Sequence, residues 1–210
     1  MNCCERGRSM IEMLGVLAVV GVLSVGGITG YTKAMKKIRI EKTAEQINEL
    51  VMNIRHVFIS QDGFAGISQE LLIKAGAVPV SMYDASQPSK NLTNAFGGEV
   101  FIFESKDVSG KPRAFEVYVT GLDKETCIMV STLDWGVDPS TGFMSLYIGA
   151  QETAIEEPLM LEVTSPEQHD TSNGIFTAGQ HIDAIPITVP IATSICTCNQ
   201  TECIIGLKYT

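Results

Sequence analysis

The side chains with the most chemical potential in this 210-residue chain are six cysteines, three histidines and one carboxylate, Glu12, at the edge of a long apolar run. Cys3 and Cys4 precede that run, whereas Cys127, Cys196, Cys198 and Cys203 follow it. A thiolate can ligate a metal, attack an electrophile or close a disulfide. The C-x-C-x4-C spacing of the last three cysteines lacks the paired C-x2-C of common zinc modules, which disfavours a metal. Four cysteines are an even set, so in an oxidising compartment two disulfides are expected, with three connectivities that the residues leave open. His56, His169 and His181 are scattered, with no HExxH, no G-x-S-x-G and no phosphate-cradling glycine loop. No catalytic constellation is present in the sequence, so neither enzymatic activity nor a cofactor or metal is expected.

Glu12 is explained only by what surrounds it. From Met13 to Tyr31 the sequence MLGVLAVVGVLSVGGITGY carries no charge, and at about 1.5 Å per residue such a helix just spans a hydrocarbon core of roughly 30 Å. A secretory signal peptide would have an apolar core of about 7 to 15 residues and an A-x-A-like site. This run is longer, has no such site and is followed by no lipoprotein cysteine. A plain membrane anchor accounts for the run but not for the carboxylate, which costs about 2.5 to 3.5 kcal/mol inside a bilayer. Such a group implies a partner.

The stretch ERG-RSMIEMLGVLAVVGVLSVGGITGY resembles the type IV prepilin motif, in which a short polar leader ends in Gly, the fifth mature residue is Glu and an unbroken apolar run follows. Gly7 then precedes the cut, Arg8 is the new N-terminus and Glu12 is the fifth-position glutamate. The resemblance implies a prepilin peptidase that cleaves after Gly7 and methylates the new amine, an inner-membrane assembly platform, and homopolymerisation with other pilin subunits. Glu12 would face the N-terminal amine of a neighbour, so that each charge relieves the other of unpaired burial. Cys3 and Cys4 would leave with the leader. Arg8 departs from the more usual Phe, and the basic run Lys33–Lys42 lies on the side that the family places outside the cytoplasm, against the positive-inside tendency.

Beyond Tyr31 the pattern becomes one-sided. Met35, Ile38, Ala44, Ile47, Leu50, Val51, Ile54 and Phe58 recur at spacings of three and four, the stripe of a helix packed on a globular body. Ser68 before Gln69-Glu70-Leu71, with Gly76 and Pro79 beyond, predicts a short helix at about 68–75. GGEVFIFES and PRAFEVYVTG around KDVSGK predict a β-hairpin. Further strands are expected at 143–149, 159–164, 185–192 and 203–209, and LDKETCIMVSTL predicts a helix carrying Cys127. The fold class is α+β: a long N-terminal helical spine on an antiparallel β-sheet head. The expected organisation is a leader at 1–7, a hydrophobic transmembrane and polymerisation helix at 8–31, an amphipathic half of the spine at 32–60 and a head at 61–210.

The order NLTNAFGGEVFIFE, then FEVYVTGLDKETCIMVS, is similar to the head of the type IVb pilins of the conjugative thin-pilus and toxin-coregulated kinds. Phe96, Gly97, Gly98 and Cys127 stand at the matching places, and the resemblance implies that Cys127 bridges to a cysteine near the C-terminus. Residues 138–195 offer no motif. The net charge of -9 divides unevenly, with +4 over residues 1–42 and -13 over the remainder. An acidic body repels phosphate backbones, so no nucleic-acid partner is expected. The expected function is that of a structural subunit of a type IVb-like pilus, held in the bacterial inner membrane and then exported into a surface fimbrium. The alternatives are a pseudopilin or minor pilin of a type II secretion or DNA-uptake machine, and a membrane-anchored binding protein.

Overall fold

Helix α1 runs from Met10 to Phe58 in the computed structural model, with Glu12 in its first turn and Arg55 and His56 in its last. The structure describes residues 10–84, 86, 91–107, 109–136, 141–151, 155–160, 170, 172, 174–177, 185–198 and 202–210. The contacts divide the chain into two units between Arg39 and Ile40.

In the first unit no residue from Met10 to Arg39 is buried. The hydroxyls of Ser24 and Thr29 donate back to the carbonyls of Val20 and Val25, at 2.7 and 2.9 Å, so the few polar side chains of the apolar stretch are satisfied within the helix. That is the condition for a segment surrounded by lipid, where no water is present to complete a hydrogen bond.

In the second unit the rest of α1 buries Ile40, Ile47, Leu50, Val51, Ile54 and Phe58. Burial of each such side chain contributes about 1.5 to 3 kcal/mol relative to exposure. Gln46 donates to the backbone carbonyl and hydroxyl of Ser81 at 3.1 and 3.0 Å, and Asn53 donates to the Ala77 carbonyl at 2.9 Å. These bonds fasten the connection that follows α1. Within that connection α2, Gln69–Lys74, is capped by Ser68, whose hydroxyl accepts the Leu71 N–H.

Among the described residues six strands form one antiparallel sheet in the order β1-β2-β3-β6-β4-β5. They are β1 Leu92–Thr93, β2 Glu99–Ser105, β3 Ala114–Leu122, β4 Phe143–Gln151, β5 Ile175–Thr177 and β6 Glu202–Tyr209. The β2–β3 hairpin has Val100 opposite Val119, and its loop is organised by Asp107, whose carboxylate accepts from the Ser109 N–H, the Ser109 hydroxyl and the Lys111 N–H. The Ser109 hydroxyl is the largest influence holding that carboxyl below its ordinary range.

One face of the sheet presents Val100, Ile102, Phe115, Val117, Val119, Leu146, Ile148, Ile205 and Leu207 to the core that includes α1. The alternate positions, among them Tyr118 and Ile204, pack under Met160 with Phe101, Phe103, Tyr147, Ile155 and Ile175. The central strands are therefore covered on both faces, which is why β3 is buried almost throughout.

Helix α3, Lys124–Ser131, starts at Asp123, which accepts the Thr126 N–H at 2.8 Å. Helix α4 spans Val189–Ile195. It replaces the strand predicted at 185–192, and the reason lies in the prolines. Pro186 and Pro190 cannot donate to a β-ladder, whereas Pro190 in the first turn of a helix loses nothing. Of the strand predicted at 159–164, Leu159 and Met160 form a turn and 161–164 lie outside the described residues.

Candidate functional site: an apolar helix surface and a sulfur nest

Two features combine unusual chemistry with a definite position. The first is the N-terminal stretch of α1, where Met10 is 86%, Ile11 79% and Tyr31 66% exposed, and where none of the most apolar eighteen-residue window is buried. Glycines 15, 21, 26, 27 and 30 meet no atom within 4 Å of an added Cβ. Exposed hydrophobic surface of this extent marks an interaction site, here one that suits lipid or another apolar helix. Glu12 lies in the first turn, where a carboxylate is stabilised by the helix dipole. Gly7 and Arg8 lie outside the described residues.

The second feature is the cysteine nest. Cys127 on α3 is bonded to Cys196 at the C-terminal end of α4, with Cα atoms 6.1 Å apart, and Cys198 is bonded to Cys203 on β6, with Cα atoms 5.4 Å apart. The sulfurs of Cys127, Cys198 and Cys203 lie within 4.8 Å of one another and all are buried. Cys203 is fixed by register, opposite Leu122 of β3 and Ala150 of β4. The first bond closes a loop of 69 residues, worth about 4 kcal/mol in the chain-entropy account.

The glycines of the hairpin entry are required by geometry. Gly97 has φ +89°, and a Cβ on Gly98 would stand 1.9 Å from the Thr120 carbonyl oxygen. Asn94 completes the corner by donating to that same oxygen at 2.8 Å. His56 is exposed on α1, whereas His169 and His181 lie outside the described residues. Asn91 is exposed, with its amide donating to Glu99 at 2.7 Å.

Sequence reasoning missed a buried charge network. Glu116 and Lys208 are both fully buried and face each other across β3 and β6, with Lys208 Nζ 3.7 Å from Glu116 Oε1. Ser105 donates to Glu116 at 2.5 Å, the Met160 N–H donates at 3.0 Å, and Tyr118 donates its hydroxyl to the same carboxylate. Lys208 donates to the Met160 carbonyl at 2.7 Å, and the Leu159 N–H donates to Tyr118 Oη at 2.7 Å. Burial, with Glu116 next, pushes the Tyr118 phenol well above its ordinary range, so it remains a donor. The network holds one short backbone segment by the N–H groups of Leu159 and Met160 and the Met160 carbonyl. It has the form of a structural latch, in which each of these side chains has a hydrogen-bond partner.

The PilS N-terminal family model matches residues 37–206. The toxin coregulated pilin of Vibrio cholerae serotype O1 is 24% identical over 153 residues, which is 71% of this chain and 64% of that relative. The chain thus spans a little under two thirds of the curated relative. The crystal structure of TcpA, a type IV pilin from Vibrio cholerae El Tor biotype, superposes with a TM-score of 0.60 at 16% identity, covering 82% of this chain and 99% of that one. A type IVb pilin from Salmonella typhi gives a TM-score of 0.48 at 20% identity, covering 78% and 95%. With the long helix, the antiparallel sheet and the family match in agreement, the chain belongs to the PilS N-terminal family and has the fold of a type IV pilin.

Proposed function

We infer that this pilin is a structural subunit of a type IVb-like pilus, polymerised with copies of itself through the N-terminal stretch of α1. The observation that carries this reading is that every residue from Met10 to Tyr31 is exposed, with Glu12 at the beginning of a surface that carries no charge from Met13 to Tyr31. Before assembly that surface is covered by the bilayer, and in the fibre by the same stretch of other copies. A prepilin peptidase removes residues 1–7, and the amine of Arg8 on one copy pairs with Glu12 of another. Assembly proceeds from an inner-membrane platform to the cell surface, and the two disulfides form once the head is outside the cytoplasm.

N-terminal mass analysis of the mature protein, beside electron microscopy of sheared surface fractions, tests the reading. A mature chain starting at Arg8 and found in fibres supports it. A membrane protein that retains residues 1–7 and never enters the sheared fraction would overturn it.

A further inference from the structure

The sulfur nest holds more chemistry than one staple requires. Cys127–Cys196 alone ties α3 to the end of α4, yet the second pair has been brought within 4.8 Å of the Cys127 sulfur. The two pairs also differ in how they close. Cys198 and Cys203 are separated by 5 residues, whereas Cys127 and Cys196 are separated by 69. On loop-closure entropy the shorter loop is favoured by on the order of 50-fold. The short pair is then the one that an external oxidant meets first, and the long-range pair is the one that needs help.

We propose that the four cysteines form a single thiol–disulfide exchange site, in which Cys198–Cys203 serves as an internal oxidant for the Cys127–Cys196 bond. In the reduced chain an external disulfide first oxidises Cys198 and Cys203, accepting two electrons and leaving as two thiols. As α3 docks, the Cys127 thiolate attacks Cys203 Sγ, and Cys198 departs as a thiolate. The Cys196 thiolate then attacks Cys127 Sγ, and Cys203 departs. The protons of Cys127 and Cys196 end on Cys198 and Cys203, and no electrons are gained or lost in the exchange. A second external disulfide reoxidises the short pair. The same steps correct a misplaced Cys196–Cys198 or Cys196–Cys203 bond, because Cys127 attacks Cys196 and frees the other sulfur.

The test uses the full-length chain, reduced and solubilised in detergent, with oxidised glutathione as the external disulfide. Samples are quenched with N-ethylmaleimide at intervals and their bonds mapped on non-reduced peptides. In the wild type, Cys198–Cys203 should form first, followed by a species with Cys127–Cys196 closed and Cys198 and Cys203 alkylated. The Cys198→Ser/Cys203→Ser chain should close Cys127–Cys196 about tenfold or more slowly, since the short loop no longer supplies the bond. In Cys196→Ser, a mixed disulfide of Cys127 with Cys198 or Cys203 should be trapped as a transient during oxidation, before the short pair reforms. Formation of Cys127–Cys196 before any short-range bond, an unchanged rate in the double variant, or a Cys196→Ser chain in which no mixed disulfide of Cys127 is trapped at any interval would each overturn the proposal. If the Cys196→Ser chain fails to fold, the order of bonds in the wild type decides. Because the assay requires neither export nor fibres, its outcome stands apart from that of the assembly test.

Discussion

One helix, α1, meets two environments, and the contrast shows how little secondary structure says about what a surface is for. From Met10 to Arg39 none of its residues is fully buried, while from Ile40 to Phe58 it buries a stripe in its own core. The backbone is equally satisfied in both, because a helix closes its hydrogen bonds internally. What differs is how the apolar side chains are distributed. From Met13 to Tyr31 they lie all around the axis, leave every direction apolar and require an external partner. On one side only, they select an internal one.

The contrast is broken most severely at Glu12. Glu12→Ala should insert, because removing a carboxylate lowers the cost of insertion, and should still be cleaved after Gly7. Fibres should nonetheless be lost, since stranding one half of a buried pair costs about 3 to 5 kcal/mol at each subunit contact. The melting of the head should not move. A cleavage blot beside microscopy of sheared fractions reads all of this, and normal fibres from fully processed subunits would end the charge-pairing mechanism while leaving the pilin assignment intact.

Lys208→Met places a comparable loss in the other region. Glu116 would remain buried without its cationic partner, so the head should lose about 3 to 5 kcal/mol, with Glu116→Leu/Lys208→Met recovering part of it. Denaturant unfolding of the solubilised protein measures this. A Lys208→Met head as stable as the wild type would show that the Ser105, Tyr118 and Met160 donors suffice for the carboxylate.

Gly98→Ala should have a smaller effect, about 1 to 3 kcal/mol, because its Cβ would collide with the Thr120 carbonyl and the hairpin entry must shift. Its signature is local. Amide exchange should accelerate at β2 and β3 more than in α1, and uniform acceleration would argue against a hairpin-specific role.

These sites also separate what was legible in the sequence from what was not. The two parts of α1, the β2–β3 hairpin and the Cys127 helix follow from periodicity, turn chemistry and capping, which are local signals. Glu116 and Lys208 occupy alternate positions of their strands and there resemble solvent-facing residues. They are buried because Met160 and its neighbours lie over that face, and nothing local to Glu116 or Lys208 announces the cover. Strand β5 has only Ile175–Thr177 and is too short for an alternation to be recognised. At 185–192 apolar content suggested a strand where Pro190 instead opened a helix. The cysteines were countable from the start, but their convergence into one nest depends on the β6 register and on the placement of α3 and α4.

The mildest substitution separates the two stretches of α1 most cleanly. Gly27 has nothing within 4 Å of an added Cβ, in contrast to Gly98. Gly27→Ala should therefore strengthen the helix by up to about 1 kcal/mol through lost backbone freedom in the unfolded state. In detergent, helicity measured by circular dichroism should hold or rise slightly, and the unfolding midpoint of the head should stay where it is. The same methyl group is a sterically new feature only where helices of different copies pack closely, because small residues are what allow backbones to approach. Fibre yield can thus fall while every property of the isolated subunit is retained. A shift in the head's midpoint equal to that of Gly98→Ala would show that the exposed stretch and the core are energetically coupled, and the division between them at Arg39 would then describe contacts without describing stability.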